Sequence, residues 1–194
     1  GNLRSVLSKF ERLKMEAAIS SSIEDIQQAD KLILPGVGHF GAGMTNLHQS
    51  GLVPVIEEQV LEKKKPLLGI CLGMQLFAEV GEEFGSTIGL GLIQGRVSII
   101  DVNQSGLRLP HVGWNKVYLN KNSAIVAGVQ EYSVYYFVHS YAYSDPDASY
   151  VVGVCDYSSK IVSIIEKDNI FGAQFHPEKS QSDGLLLLKN FTSI

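Results

Sequence analysis

The sequence predicts an α/β protein built on a mostly parallel sheet, and two features of its patterning carry that expectation. In the first half, compact apolar runs at 31–34 and 66–70 alternate with helical stretches at 42–49 and 53–64, which is how a parallel sheet covered by helices on both faces reads. After Gly95 the texture turns strand-rich, with strand-like segments at 97–101, 114–119, 134–138, 150–157, 161–167 and 170–175. The chain opens on an amphipathic helix: Leu3, Val6, Leu7, Phe10, Leu13 and Ala17 recur at three- and four-residue steps, with Asn2 as cap. A short strand is predicted at 17–20, then a helix start of capping-box type at Ser21-Ser22-Ile23-Glu24-Asp25. The Lys63-Lys64-Lys65 run reads as the solvated last turn of a helix, where cations complement the dipole. A final helix over 181–192 presents Leu185, Leu186, Leu188 and Phe191 as its packing face.

Composition narrows the function. With 194 residues, 45% of them hydrophobic and no internal repeat or linker-like segment, residues 1–194 are read as a single soluble domain. A net charge of −4 and the lack of a basic block argue against nucleic acid, which demands clustered Lys and Arg. Apolar runs fall well short of the roughly 20 residues that cross a bilayer, so no membrane span is expected. The N-terminus lacks a signal-peptide pattern and two cysteines make no disulfide framework, which points to a reducing, cytoplasmic location. The 19 glycines exceed the usual share of roughly 7%, and their positions carry the argument.

Gly36-Val37-Gly38-His39-Phe40-Gly41 matches G-x-G-x-x-G after a strand, but Glu57 and Glu58, near the place for a ribose-binding acid, fall inside a helical segment. A dinucleotide loop is therefore rejected; the remaining readings are an ordinary turn and a loop presenting backbone N–H groups to an anion formed during reaction. The stronger signal is Leu68-Gly69-Ile70-Cys71-Leu72-Gly73-Met74-Gln75, a strand running through G-x-C-x-G into a helix, which is the context of a nucleophile elbow. Its glycines suit the tight turn, and a helix N-terminus favours thiolate. Free cysteine is also among the most buried residue types, so the elbow alone does not decide, and Cys155 inside a strand reads as core. The partner signal is Phe175-His176-Pro177-Glu178 at a strand end, where imidazole and carboxylate can touch. Cys71 would attack a carbonyl, His176 would shuttle the proton and Glu178 would hold the imidazole tautomer.

With this constellation the chain resembles the class I, triad-type glutamine amidotransferases, which have a three-layer fold of mostly parallel sheet with helices on both faces. Within them it is most similar to the glutaminase subunits of imidazole glycerol phosphate synthases, on three further stretches: Pro35-Gly36-Val37-Gly38-His39-Phe40-Gly41-Ala42-Gly43-Met44, Pro110-His111-Val112-Gly113-Trp114-Asn115 and Tyr136-Phe137-Val138-His139-Ser140-Tyr141. Other class I relatives generally carry a Gly-Gly-type oxyanion turn where this chain has Pro-Gly-Val-Gly. The resemblance implies a triad of Cys71, His176 and Glu178, and an oxyanion hole from Leu72 N–H and the Gly36-Val37-Gly38 backbone. It implies a glutamine site at Gln75, Ser140 and Tyr141, and partner-facing positions at Pro110, His111, Trp114, Asn115 and Lys179. No cofactor or metal is implied. The implied partner is a (β/α)8-barrel cyclase in a heterodimer; it would receive ammonia from glutamine and make imidazole glycerol phosphate and an aminoimidazole carboxamide ribonucleotide for histidine biosynthesis. Losing one oxyanion donor costs roughly 10²–10³ in rate, so a rotating peptide beside Val37 would serve as a switch biased by partner and ligand. The family opens with a strand ending in Tyr-Gly-x-Gly-Asn, of which these residues hold only the last Gly1-Asn2, so a preceding first strand is expected. Three rivals stand beside this reading: an amidotransferase feeding a surface-sugar synthase, a cysteine hydrolase of related fold, and a non-catalytic binding protein. Glu178 directly after His176-Pro177 argues against the hydrolase.

Overall fold

The computed structural model describes residues 3–103 and 105–194, so the expected cap at Asn2 lies outside the described residues. Helix α1 spans Leu3–Arg12 and buries Val6 and Phe10. It ends before Ala17 because Lys14 turns left-handed at φ 58, with Lys14 N–H on Glu11 O and Met15 N–H on Phe10 O, a Schellman closure. The strand predicted at 17–20 does not form; all four residues are exposed and pair with no strand, and a strand without a neighbour has no ladder to occupy its N–H and C=O groups. Ser22 caps α2 (Ile23–Gln28), accepting from Asp25 N–H.

Strand β1 (Leu32–Gly36) precedes α3 (Phe40–Gln49) and α4 (Leu52–Glu57), which continues as a π-turn over Glu58–Glu62. Strand β2 (Leu67–Cys71) is buried at every residue and runs directly into α5 (Leu72–Gln75). Short strands β3 (Val80–Gly81) and β4 (Thr87–Ile88) lead to β5 (Arg96–Ile99). The strand predicted at 114–119 divides: β6 (His111–Lys116) and β7 (Tyr118–Leu119) flank buried Val117 and join different sheets. Then come β8 (Val134–His139), β9 (Tyr141–Ser144), β10 (Val151–Asp156), β11 (Lys160–Lys167), β12 (Ile170–Ala173) and α6 (Gln181–Ser193).

Among the described residues the main sheet has six strands in the order β1-β2-β12-β11-β10-β7, beside a four-stranded sheet β4-β3-β5-β9 and the pair β6-β8. Strands β1, β2 and β12 are parallel, while β11, β10 and β7 join antiparallel. The hairpins explain the change of direction: Asp168, at φ 53, and Asn169 alone connect β11 to β12, too little chain for a crossover. Alternate residues of β2 divide two cores. Leu68 and Ile70 pack with Val6 and Phe10 of α1 and Leu187, Leu188 and Phe191 of α6, while Leu67 packs with Phe40 and Met44 of α3 and Met74 of α5. In α6 the buried leucines are Leu187 and Leu188; Leu185 and Leu186 are only partly buried, because Gly184, packed on the Pro177 carbonyl, sets which side meets the sheet. Among the described residues no helix is long and apolar enough to cross a membrane.

Candidate active site

Cys71 closes β2 at φ 53 and ψ −111, a conformation that costs a non-glycine residue roughly 1–3 kcal/mol. The strain therefore sits on the cysteine itself. The flanking glycines have another duty: a Cβ on Gly73 would lie 1.7 Å from Leu34 O and one on Gly69 2.6 Å from Met74 N. They let β1, β2 and α5 meet backbone to backbone, and this packing holds the elbow. Register pairing sets Gly36 opposite Cys71, so the loop after β1 lies beside the thiol.

Strand β12 runs parallel beside β2 with Ala173 opposite Ile70, which carries Gln174, Phe175 and His176 to the Cys71 end of the sheet. His176 Nδ1 lies 2.8 Å from Glu178 Oε1, and the two residues are only 1% and 3% exposed. The segment is tied to β8: His176 N–H donates to Tyr136 O, Tyr136 N–H donates to Ser180 Oγ, and the Ser180 hydroxyl donates to His176 O. His176 Nε2 is buried without a hydrogen bond, leaving it open to a reacting group. Burial pulls the imidazole pKa down, but Cys71 and Glu178 outweigh it and push it up to about 9.

That shift fixes a pH dependence. A pKa near 9 in the fold against 6.5 in the unfolded chain means that protonated His176 stabilises the fold, fully below pH 6.5, and that this contribution disappears as pH rises to about 9. Urea unfolding followed across this window is expected to show falling stability, with a shallower fall in Cys71→Ala; a flat profile in the wild type would contradict the pairing.

A cavity of about 490 Å³ opens on this centre. Val37, Gly38, Leu72, Gln75, Ser140 and Tyr141 line it together with Cys71 and His176; Gly36 does not, although it pairs with Cys71. Gln75 Nε2 donates to Tyr141 O at 2.8 Å and to Gln174 Oε1 at 3.0 Å, which orients the amide. The glycine loop has no room for a pyrophosphate on the following helix, because His39 accepts from Ala42 N–H and Glu83 Oε2 accepts from Phe40 N–H.

A family model described as glutamine amidotransferase class-I matches residues 2–193. The chain belongs to the class I glutamine amidotransferases. This amidotransferase is 43% identical over 198 residues to the imidazole glycerol phosphate synthase subunit HisH of Pelagibacter ubique, covering 100% of this chain and 95% of the relative. It is 46% identical over 192 residues to the subunit of the same name from Aquifex aeolicus, covering 98% and 91%. Among solved structures, a crystal structure of a glutamine amidotransferase superposes with a TM-score of 0.77 at 18% identity, covering 100% of this chain and 93% of the other. The Trypanosoma brucei CTPS glutaminase domain with bound acivicin gives 0.64 at 21%, covering 98% and 88%. These two likenesses speak to the fold.

The partner-facing expectations separate on strand alternation. Trp114 is 49% exposed on the outer side of β6, and Lys179 is exposed with Nζ 5.4 Å from the Tyr136 ring centroid. His111 was expected on the same surface but faces inward at 3% exposure, because odd positions of β6 point to the body of the amidotransferase. Asn115 follows it, donating to Asp156 O, and Pro110 lines the cavity. Sequence reasoning missed Glu83, the one carboxylate lining the cavity among the described residues, and Gln174, whose Nε2 lies 3.9 Å from Cys71 Sγ. Glu83 carries no motif; Gln174, two residues before His176, was within reach of the same strand-end argument.

Proposed function

We propose that this amidotransferase is the glutaminase subunit of an imidazole glycerol phosphate synthase, releasing ammonia from glutamine for a cyclase partner in histidine biosynthesis. The observation that carries the chemistry is one cavity lined by a strained cysteine and by an imidazole whose other nitrogen is held by a buried carboxylate. The names of relatives at 43% and 46% identity direct it to this synthase. Cys71 Sγ adds to the glutamine carboxamide carbon. Leu72 N–H and an N–H of the Val37-Gly38 turn, where Gly38 takes φ +97, hold the resulting oxyanion in this reading, which the presence of all three residues in the cavity wall supports. His176 returns the proton to the leaving nitrogen, ammonia departs, and water assisted by the same imidazole hydrolyses the thioester to glutamate. Glu178 fixes Nδ1 throughout.

The wall matches an amino acid. Glu83 suits the substrate α-ammonium, and Gln75, with its nitrogen engaged by Tyr141 O and Gln174 Oε1, lines the same wall. Ile100 N–H takes Ser140 O, so the alternation of the β5–β9 ladder turns the Tyr141 N–H away from β5 and frees it for a substrate carboxylate. Glu83→Gln keeps an oxygen for the Phe40 N–H but removes the charge; it is expected to raise the glutamine KM about tenfold with kcat little changed. An unchanged KM would remove Glu83 from this role.

The outer face of β6 and β8 is the docking surface in this reading. Val112 faces Val138 and Trp114 faces Tyr136 across the pair, and Val112 and Trp114 are 55% and 49% exposed. An apolar, aromatic patch of this kind beside the cavity suits a permanent subunit partner. The test measures glutamate formed from glutamine by the chain alone and with a cyclase partner and its ribonucleotide, with Cys71→Ala as control. Stimulation by the partner is expected; none would overturn the assignment.

A further inference from the structure

Two buried imidazoles, one in the cavity wall and one behind it, take no part in the steps above. His139 ends β8, lines the cavity and is 7% exposed, while His111, its register partner across the strand pair, starts β6. His111 Nδ1 lies 3.0 Å from His139 Nε2. The remaining nitrogens are engaged as well: His139 Nδ1 is 2.8 Å from Tyr141 O, and His111 Nε2 is 3.2 Å from Asn115 Nδ2.

The protons in this chain are fixed from both ends. Tyr141 O only accepts, so His139 Nδ1 carries hydrogen and its Nε2 is the acceptor. At the far end Asn115 Oδ1 accepts from Lys116 N–H and Nδ2 donates to Asp156 O, so the amide nitrogen donates its second hydrogen and His111 Nε2 accepts. His111 Nδ1 then holds hydrogen and donates to His139 Nε2, the same polarity reached from either side. His111 is pinned between Phe137 and Tyr157, with ring centroids at 4.8 and 4.1 Å, so its ring does not turn freely. Tyr141 O also receives Gln75 Nε2, whose other hydrogen goes to Gln174 Oε1, which turns Gln174 Nε2 toward Cys71 Sγ.

We propose that His111 and His139 are positioning residues for the amide substrate: two neutral Nδ1–H imidazoles in series that tie the Tyr141 carbonyl, and with it Gln75, to the strand whose outer face carries Trp114. The proposal deepens the glutaminase reading and rests on it for its kinetic effects. Both rings must be neutral, since a proton on either would set one N–H against another. Burial keeps them so, holding each pKa down at about 4; His139 is further lowered by the charges of His111 and His176, against the opposing bond to Tyr141 O. The relay leads from β6 to the glutamine site, so a shift of that strand on docking reaches the substrate through hydrogen bonds of fixed direction.

Long-range ¹H–¹⁵N spectra of the intact protein at neutral pH are expected to show both rings as neutral Nδ1–H tautomers; an Nε2–H tautomer on either overturns the relay. His111→Leu removes the donor and leaves His139 Nε2 buried and unpaired, whereas His111→Asn retains an N–H near the Nδ1 position. The leucine variant is expected to raise the glutamine KM about tenfold with kcat within about threefold of wild type, and the asparagine variant to restore most of it. Equal KM values for leucine variant and wild type, or equal losses in both variants, would reduce the pair to packing. Loss of glutamine hydrolysis in the wild type would sink the functional reading and leave the tautomer result to judge the relay.

Discussion

Cys71→Ala lowers glutamine hydrolysis by a factor on the order of 10⁴–10⁶, the expected result of removing a nucleophile from a unit whose other members act only through it. Glu178 orients His176, and His176 has no other reacting group to serve: its Nε2 is buried and makes no hydrogen bond. Once the thiol is gone, the residual rate comes from the oxyanion donors and from substrate binding. The fold is expected to survive, since alanine at position 71 meets the same positive φ as cysteine and gives up only the sulfur. Circular dichroism and glutamine affinity close to wild type, with glutamate formation lost, would establish the chemical role. Substantial remaining hydrolysis would hand the nucleophile to another group, and Cys155, buried in β10 with its thiol pKa pushed up to about 11 by burial, is no candidate.

Gly73→Ala is expected to be severely damaging, since among the described glycines an added Cβ comes closest to another atom there. The added Cβ would lie 1.7 Å from Leu34 O and 2.7 Å from the Leu34 carbonyl carbon, so it meets main chain and finds no flexible side chain that could yield. To admit it, β1 must part from α5, which breaks the Gly36–Cys71 juxtaposition and shifts the Val37-Gly38 turn away from the thiol. A loss of about 3 kcal/mol in unfolding free energy is expected, together with loss of hydrolysis in whatever fraction folds. Urea titration measures the first and a glutamate assay the second. A variant as stable as wild type would mean that the close approach of β1 to α5 is not a real constraint.

Much of the site was legible because it is local. Cys71 between two glycines after an apolar strand, and His176-Pro177-Glu178 at the end of another, each announce themselves over a few residues, and the parallel pairing of β2 and β12 brings them together. The reason for the glycines was misread: spacing suggests a turn that needs freedom, while the structure shows close approach, with the cysteine itself in the left-handed conformation. Glu83 was hidden because an acidic residue in a loop beside Glu82 looks like any solvated charge; only the tertiary fold turns it to the cavity. The strand predicted at 17–20 failed for a related reason, since pairing is a non-local property that β-propensity does not contain. His111 shows the limit of motif reading most clearly: it sits in a stretch expected to face a partner, yet strand alternation sends it inward while Trp114 goes out.

The left-handed backbone at Cys71 implies that this chain is not at its stability optimum. Glycine would occupy position 71 without conformational strain, so the presence of a side chain there marks a compromise between durability and reactivity. Parallel strands on either side and backbone contacts at Gly69 and Gly73 over-determine the elbow, and they let the molecule keep one residue in a shape it would not choose alone. The rigidity of the central sheet is in this sense part of the thiol's reactivity: loosening β1 or β12 would let the cysteine relax, and a relaxed cysteine would no longer project into the cavity.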